Sequence, residues 1–495
     1  MDLGNFESLG YILPELIMVV TILAVFLIDL VVEDKDRLGE IALAGTALAL
    51  FALAVTGTTE SGWLFSRMII HDPFAVFFKM VFALATLAAI WMSLGSNEVR
   101  DMKRGEYYGL LLSSALGTFF MASAANLLMA YLSLEFVSIT SYVLTGFLRH
   151  NRRSGEAALK YLIYGGVASG AMIYGMSWIF GLAGTMDFAG INKALMAAEP
   201  NKLALFIGII LTLAGLGYKI AAAPFHMWAP DVYQGAPLPI TAFLSVGSKA
   251  GGFALLMRMF YPALSHPVGS SGQWQFIAGV DWPQVVLVLS MVTMTIGNFT
   301  ALSQRNIKRM LAYSSIAHAG YMLMAFVVLT DEALIAMMFY IVAYYLMNIG
   351  AFLVLMIVVN DTGSEDIEAF RGLAWRGGAA PAVAMTIFLV SLIGLPPMAG
   401  FVGKFALFAA IIKQQFYFLA AVGVLNSVVA AFYYFRIIRT MFLDQPTGDE
   451  KPVTVSPHNG ALMYSLSIAT VILGVYWDPV FRLAKSSVRF FIGAV

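Results

Sequence analysis

Four charged residues lie where an apolar chain carries charge only at a cost. Glu135 sits inside LLMAYLSLEFVSITSYVLTGF and Lys249 inside PLPITAFLSVGSKAGGFALLM. Lys219 shortly precedes Pro224, and Lys404 shortly follows Pro396 and Pro397. A charge at the middle of a bilayer costs ~2.5–3.5 kcal/mol on insertion scales, so several together point to function. Their chemistry would be proton movement. Burial favours the neutral amine of a lysine, whereas a nearby carboxylate favours the ammonium form. A Glu135–Lys219 pair is then a switch that holds or releases a proton, and Lys249 and Lys404 pass it on. His226 and His318 also fall in apolar segments, and an imidazole both accepts and donates a proton near neutrality. Lys160 lies near the start of its run, where it either snorkels or joins the same path. The candidate relay is therefore Glu135, Lys219, Lys249, Lys404, His226, Lys160 and His318. Lys79 and Arg258 are read as snorkelling toward an interface. No nucleophile–base triad is present, and no His, Asp or Glu cluster has metal-ligand spacing, so no metal is expected.

The elements that must position these groups follow from composition. Of 495 residues, 60% are hydrophobic and 12% charged, with a net charge of zero. So little charge cannot cover the outside of a soluble globule. A soluble enzyme, a disordered chain and a nucleic-acid binder are excluded, the last for want of a basic surface. With 0 cysteines, disulfides, thiolate-bound iron–sulfur clusters and cysteine zinc sites are excluded. No G-x-G-x-x-G motif occurs, so redox and nucleotide chemistry belong to other chains. The first apolar run passes straight into Asp29 and Glu33, unlike a removable signal.

A bilayer-spanning helix takes about 20 apolar residues. The apolar runs predict an all-α polytopic membrane protein of about fourteen spans. Four divisions are expected: 1–105, flanking helices one to three; 106–260, a five-helix repeat; 282–442, a second five-helix repeat; and 460–495, the last helix. Pro224 in the seventh span (202–229) and Pro397 in the twelfth (380–412) occupy matching places, and five is odd, so the second repeat is inverted. Inverted repeats with interrupted helices are a transporter device. Pro224 deprives the Ile220 carbonyl of its usual partner, and Pro396 and Pro397 do so for Leu392 and Ile393. With the N-terminus outside, the inner loops hold more than twice the Lys and Arg of the outer segments, so both termini are expected outside.

Four segments carry a resemblance. PFHMWAPDVYQGAPLPITAFLSVGSK (224–249), RNIKRMLAYSSIAHAGYM (305–322), YLSLEFVSITSYVLTGF (131–147) and SLIGLPPMAGFVGKF (391–405) resemble the antiporter-like membrane subunits of respiratory complex I, the proton-translocating NADH:quinone oxidoreductase. The PDVYQGAP and SVGSK wording, and a lysine at position 404, look like the subunit N family. The resemblance implies that Glu135 and Lys219 form the control pair, Lys249 the central relay and Lys404 the exit. It implies supporting positions for Lys160 and His226, and a place for His318 in the tenth-span motif. It further implies no cofactor in this chain, with quinone, FMN, NADH and iron–sulfur clusters on partner subunits. The implied partners are the other membrane subunits, including the sister antiporter-like ones, within a bacterial inner membrane. The alternative is a subunit of a multisubunit sodium/proton antiporter.

Overall fold

The computed structural model describes residues 4–57, 60–100, 104–269, 272–446 and 452–492. It is a bundle of long helices with two short antiparallel hairpins, Gly62–Leu64 with Ile69–His71 and Ser265–Val268 with Gln273–Phe276. The long helices are α1 (Leu13–Asp29), α2 (Asp36–Thr56), α3 (Pro73–Leu94), α4 (Arg104–Ser123), α5 (Leu127–Thr145), α6 (Arg152–Ala183), α7 (Lys202–Ile220), then the short α8 (Ala229–Gly235) and α9 (Leu238–Leu264). They continue with α10 (Trp282–Leu302), α11 (Ile307–Val327), α12 (Asp331–Thr362), α13 (Ala379–Ile393), α14 (Ala399–Lys413), α15 (Tyr417–Phe442), α16 (Pro457–Val475) and the amphipathic α17 (Asp478–Ile492).

Among the described residues, 11 helices are long and apolar enough to cross a membrane, or up to 12 if the bent pair Ile367–Trp375 and Ala379–Ile393 is one span. The fourteen spans read from sequence are not reached on this measure. The shortfall has physical causes. Helix α1 is only 17 residues long. Helix α4 begins with Arg104 and Glu106 and is rich in Gly and Ser. The expected twelfth span is broken into α13 and α14, each 15 residues.

Helix starts are written in side chains. Asp72, Asn126 and Asn306 cap α3, α5 and α11 by accepting from Ala75 N at 2.8 Å, Met129 N at 2.8 Å and Arg309 N at 3.1 Å. Each cap satisfies a backbone donor that the helix itself cannot. The same devices recur along the chain. Helices α6 and α12 are both 32 residues long and both end on a left-handed glycine, Gly184 (φ 69°) and Gly363 (φ 71°). The two capping asparagines each form an isolated bridge, Asn126 with Asp187 and Asn306 with Asp366. Helix α7 ends at the left-handed Ala221, before a cis Ala223–Pro224 bond; α13 ends at the left-handed Gly394, before a cis Pro396–Pro397 bond.

Helices α9, α11 and α12 form the buried centre, while α2, α6, α10 and α15 lie at the outside with mostly exposed apolar faces. Small residues allow close approach, as usual between membrane helices. A Cβ on Gly175 of α6 would lie 2.6 Å from the Gly208 carbonyl of α7, and one on Gly320 of α11 would lie 2.6 Å from Met294 N of α10.

The reading of Lys79 and Arg258 as snorkelling is corrected. Lys79 Nζ lies 2.6 Å from Glu15 Oε1, with both side chains almost wholly buried. Arg258 grips Asp72 through both guanidinium ends at 2.6 Å and donates its Nε to the Ala122 carbonyl at 3.0 Å. Each cation found a carboxylate far away in sequence, so neither had to reach for water.

Candidate functional site

The three buried lysines expected to form the relay differ from Lys79 and Arg258 in their partners. Lys219, Lys249 and Lys404 are 1%, 4% and 4% exposed, on α7, α9 and α14. Lys219 Nζ donates to Ser138 Oγ at 3.1 Å. Lys249 Nζ donates to Ser315 Oγ at 2.5 Å and lies over the Tyr233 ring. Lys404 Nζ donates to the Leu392 and Ile393 carbonyls at 3.1 and 2.9 Å, faces Ser427 Oγ at 3.4 Å, and sits 4.5 Å from the Tyr321 ring centre. No carboxylate pairs with any of the three among the described residues.

Local structure explains each position. Lys219 ends α7 just before the break, and the backbone freed there is satisfied by protein. Ala223 N donates to Thr293 Oγ1 at 2.9 Å and the Trp228 indole donates to the Tyr218 carbonyl at 3.0 Å. Lys249 follows a π-helical turn, Leu244–Ser248, inside α9. Such turns shift the register of a helix and recur at functional sites. A narrow cavity of ≈ 10 Å³ lies beside it, lined by Val246, Ser315, Met322 and Tyr344 among others. Lys404 folds back over the second break, onto the two carbonyls that Pro396 and Pro397 were expected to free.

Glu135 lies on α5 one turn before Ser138, the hydroxyl that Lys219 reaches, and Ser138 in turn donates to the Leu134 carbonyl at 2.7 Å. Glu135 forms no direct ion pair with Lys219 among the described residues, and its Oε1 is buried without a hydrogen-bond partner. His318 is 2% exposed on α11, with Nδ1 2.6 Å from the Tyr340 hydroxyl and Nε2 3.4 Å from the Tyr434 hydroxyl. It lies on the same helix as Ser315 and Tyr321, so α11 presents partners to both Lys249 and Lys404. His226 is buried in the turn between α7 and α8. Lys160 stands apart: its Nζ lies 2.6 Å from Asp231 and 2.6 Å from Glu156, and Asp231 also binds Arg309 at 2.6 Å. It therefore resembles the paired cations rather than the three buried lysines.

Sequence reasoning missed the hydroxyls: Ser138, Ser315, Ser427, Tyr233, Tyr321, Tyr340 and Tyr434. Ser138 had a signal, being one turn from Glu135 and so on the same helix face, and Ser315 and Tyr321 had one in lying one turn either side of His318. It also missed Lys308. Lys308 is buried, 2.8 Å from Glu365 Oε1, and donates to the Ala236 carbonyl at 3.0 Å.

Residues 124–430 match the family model described as NADH:quinone oxidoreductase/Mrp antiporter, transmembrane. NADH-quinone oxidoreductase subunit N of Anaeromyxobacter sp. is 43% identical over 510 residues, covering 99% of this chain and 98% of that one. NADH-quinone oxidoreductase subunit N 2 of Sorangium cellulosum is 46% identical over 509 residues, covering 98% of each. A chain of respiratory complex I from Thermus thermophilus with bound aureothin superposes with a TM-score of 0.80 at 30% identity, covering 96% of this chain and 100% of that one. A chain of the Mrp complex from Dietzia sp. superposes with a TM-score of 0.84 at 21% identity, covering 98% of each, and shows likeness of fold alone. Together with the broken helices and their buried lysines, these matches show that the chain belongs to the NADH:quinone oxidoreductase/Mrp antiporter transmembrane family, among the NADH-quinone oxidoreductase N subunits.

Proposed function

We infer that this chain is the proton-translocating subunit N of an NADH:quinone oxidoreductase. Protons pass along Glu135, Lys219, Lys249, His318 and Lys404, with Lys160 and His226 in supporting positions. One observation carries this reading. The cations that only hold helices together face carboxylates, whereas Lys219, Lys249 and Lys404 face neutral hydroxyls and carbonyls. Such a partner accepts a hydrogen bond without supplying a counter-charge. A lysine there can lose its proton without leaving a carboxylate unpaired in an apolar interior. Quinone, NADH, FMN and iron–sulfur clusters are assigned to partner subunits, and this chain docks against sister membrane subunits in a bacterial inner membrane. Its divisions are the flanking helices (1–105), two inverted repeats (106–260 and 282–442) and the last helix (460–495).

The test is Lys249→Ala in the intact complex, purified and rebuilt into proteoliposomes. Proton pumping driven by NADH should fall at least ~10-fold, a bound set below the ~100-fold or more that a proton-transferring group typically contributes. Pumping at the parental rate would remove Lys249 from the path.

Orientation is testable because the chain contains 0 cysteines. Both termini are assigned to the outer face. A cysteine at Glu60 should react with an impermeant thiol reagent added outside. One at Asp101, which lies outside the described residues, should react only after the membrane is opened. The reverse pattern would overturn both the orientation and the inversion of the second repeat.

A further inference from the structure

A lysine ammonium has three hydrogens to give, and Lys404 has an acceptor for each. Its Nζ donates to the Leu392 carbonyl at 3.1 Å, the Ile393 carbonyl at 2.9 Å and the Ser427 hydroxyl at 3.4 Å. Ser427 stands on α15 and passes its own hydrogen on, donating to the Tyr321 hydroxyl at 3.3 Å. The Tyr321 oxygen is held from a second side by Asn298 Nδ2 at 3.3 Å, and Asn298 Oδ1 accepts from the Tyr433 hydroxyl at 3.0 Å. Helices α10, α11 and α15 thus meet around the lysine of α14 through one hydrogen-bonded network. Buried networks whose members are satisfied hold a single arrangement.

The three acceptors stop being equivalent once Lys404 loses its proton. The neutral amine keeps two hydrogens and gains a lone pair, which calls for a donor. A carbonyl cannot donate, whereas the Ser427 hydroxyl can. Its hydrogen turns from Tyr321 toward Lys404 Nζ, and the Tyr321 hydroxyl turns to donate to Ser427 in exchange. Asn298 keeps its hold on the Tyr321 oxygen throughout. Both movements are rotations about C–O bonds. No proton changes owner in them, and recharging the amine reverses them. The proton that Lys404 gives up goes to water, the acceptor that outward pumping supplies. The charged form has a further support in the Tyr321 ring, 4.5 Å from Nζ, because an aromatic face attracts a cation. The ammonium is therefore supported with or without the Ser427 hydroxyl, and the amine only with it.

We propose that Ser427 is a positioning residue of the relay: by turning its hydroxyl it sustains the discharged form of Lys404 and sets how readily that lysine gives up its proton. The inference rests on the relay described above. The same pairing recurs at the other two buried lysines, Lys219 with Ser138 and Lys249 with Ser315, each serine again brought by another helix. On the helices packed around Lys404, the ionisable groups that reach it are Tyr321 and His318 on α11 and Tyr340 on α12, with Tyr433 on α15 linked through Asn298. Helix α13 carries none. On α16, His458 is bound at the Trp91 carbonyl and Tyr464 is exposed, and Lys413 at the end of α14 pairs with Glu332. None of the groups that reach Lys404 is a carboxylate.

The experiment compares Ser427→Ala, Ser427→Thr and Lys404→Ala in the purified complex in proteoliposomes, recording NADH-driven pumping per assembled complex across pH. In Ser427→Ala the acid limb of the profile should move up by about half to one pH unit, the worth of one neutral hydrogen bond. Pumping on that limb then falls about 3- to 10-fold and recovers at higher pH. Threonine keeps the hydroxyl, so Ser427→Thr should follow the parental profile. A purely structural role would lower pumping evenly at every pH, and that result would overturn the proposal. So would a shift toward lower pH, or a threonine variant shifted as far as the alanine one. A parental profile in Ser427→Ala, with Lys404→Ala inactive, would overturn it while leaving the relay intact. Parental pumping in Lys404→Ala would instead sink the relay itself, and this inference with it.

Discussion

Lys219→Ala should abolish proton transfer through this subunit and slow quinone reduction by the whole complex, because the two are coupled in one machine. The expected loss of pumping is at least ~10-fold, with the complex still assembled. Assembly should survive because truncation breaks no direct ion pair. Among the described residues Lys219 hydrogen-bonds the Ser138 hydroxyl alone, and Ser138 can fall back on its bond to the Leu134 carbonyl. Glu135→Ala should act in the same direction for another reason. Glu135 lies one turn from Ser138 and favours the charged form of Lys219 through space. Removing it lets the amine lose its proton too early. Glu135→Asp should be milder, since the charge persists one methylene shorter. The measurement is NADH-driven acidification in proteoliposomes, alongside the quinone-reduction rate with an uncoupler present. Full pumping by Lys219→Ala would take the control pair out of the mechanism.

Asp72→Ala should produce the largest loss of stability. Asp72 does three things at once: it caps α3 through Ala75 N, and it binds both ends of the Arg258 guanidinium. Its removal leaves an arginine buried without its counter-charge, and breaking one side of a buried ion pair costs ~3–5 kcal/mol. Loss of the cap adds ~0.5–2 kcal/mol. The variant should accumulate poorly in the membrane and melt at a markedly lower temperature in detergent. The double variant Asp72→Ala with Arg258→Met should recover part of the loss, since no unpaired charge then remains. Equal melting of Asp72→Ala and the parent would mean that the pair contributes nothing to the fold. The contrast with Lys219 follows from the partners. Arg258 faces a carboxylate whose loss strands its charge, whereas Lys219 faces a neutral hydroxyl.

Parts of this site were legible in the sequence, and the reasons are local. Prolines in apolar runs name the carbonyls they strip of partners. Leu392 and Ile393 were identifiable that way, and those two carbonyls are the ones that Lys404 occupies. The buried lysines were legible because charge in a long apolar run has few innocent explanations. The break at Pro224 was legible, but its satisfaction was not: the Thr293 hydroxyl that accepts from Ala223 N arrives from another helix, and the Trp228 indole folds back onto the Tyr218 carbonyl only once the turn is formed. The same blindness to distance explains Lys79 and Arg258. Their carboxylates, Glu15 and Asp72, stand far away along the chain, so snorkelling was the local reading. The hydroxyls were invisible for a different reason. Serine and tyrosine are ordinary in membrane helices, and nothing distinguishes Tyr340 or Tyr434 until the helices are packed. The π turn before Lys249 has no signature at all, since Leu244–Ser248 reads as plain helix. The count of fourteen is not reached by length and composition where a helix is short, polar at one end or broken, as in α1, α4 and the α13–α14 pair.

The central claim is that the buried lysines carry protons rather than merely supply positive charge. Lys219→Arg tests it most directly, because arginine keeps the charge but is not deprotonated in a protein. The measurement is NADH-driven proton pumping by the purified Lys219→Arg complex in sealed proteoliposomes, normalised to assembled complex. The account predicts that pumping fails, as it should for Lys219→Ala. Pumping at the parental rate would contradict it, and would make Lys219 a fixed electrostatic element instead of a carrier.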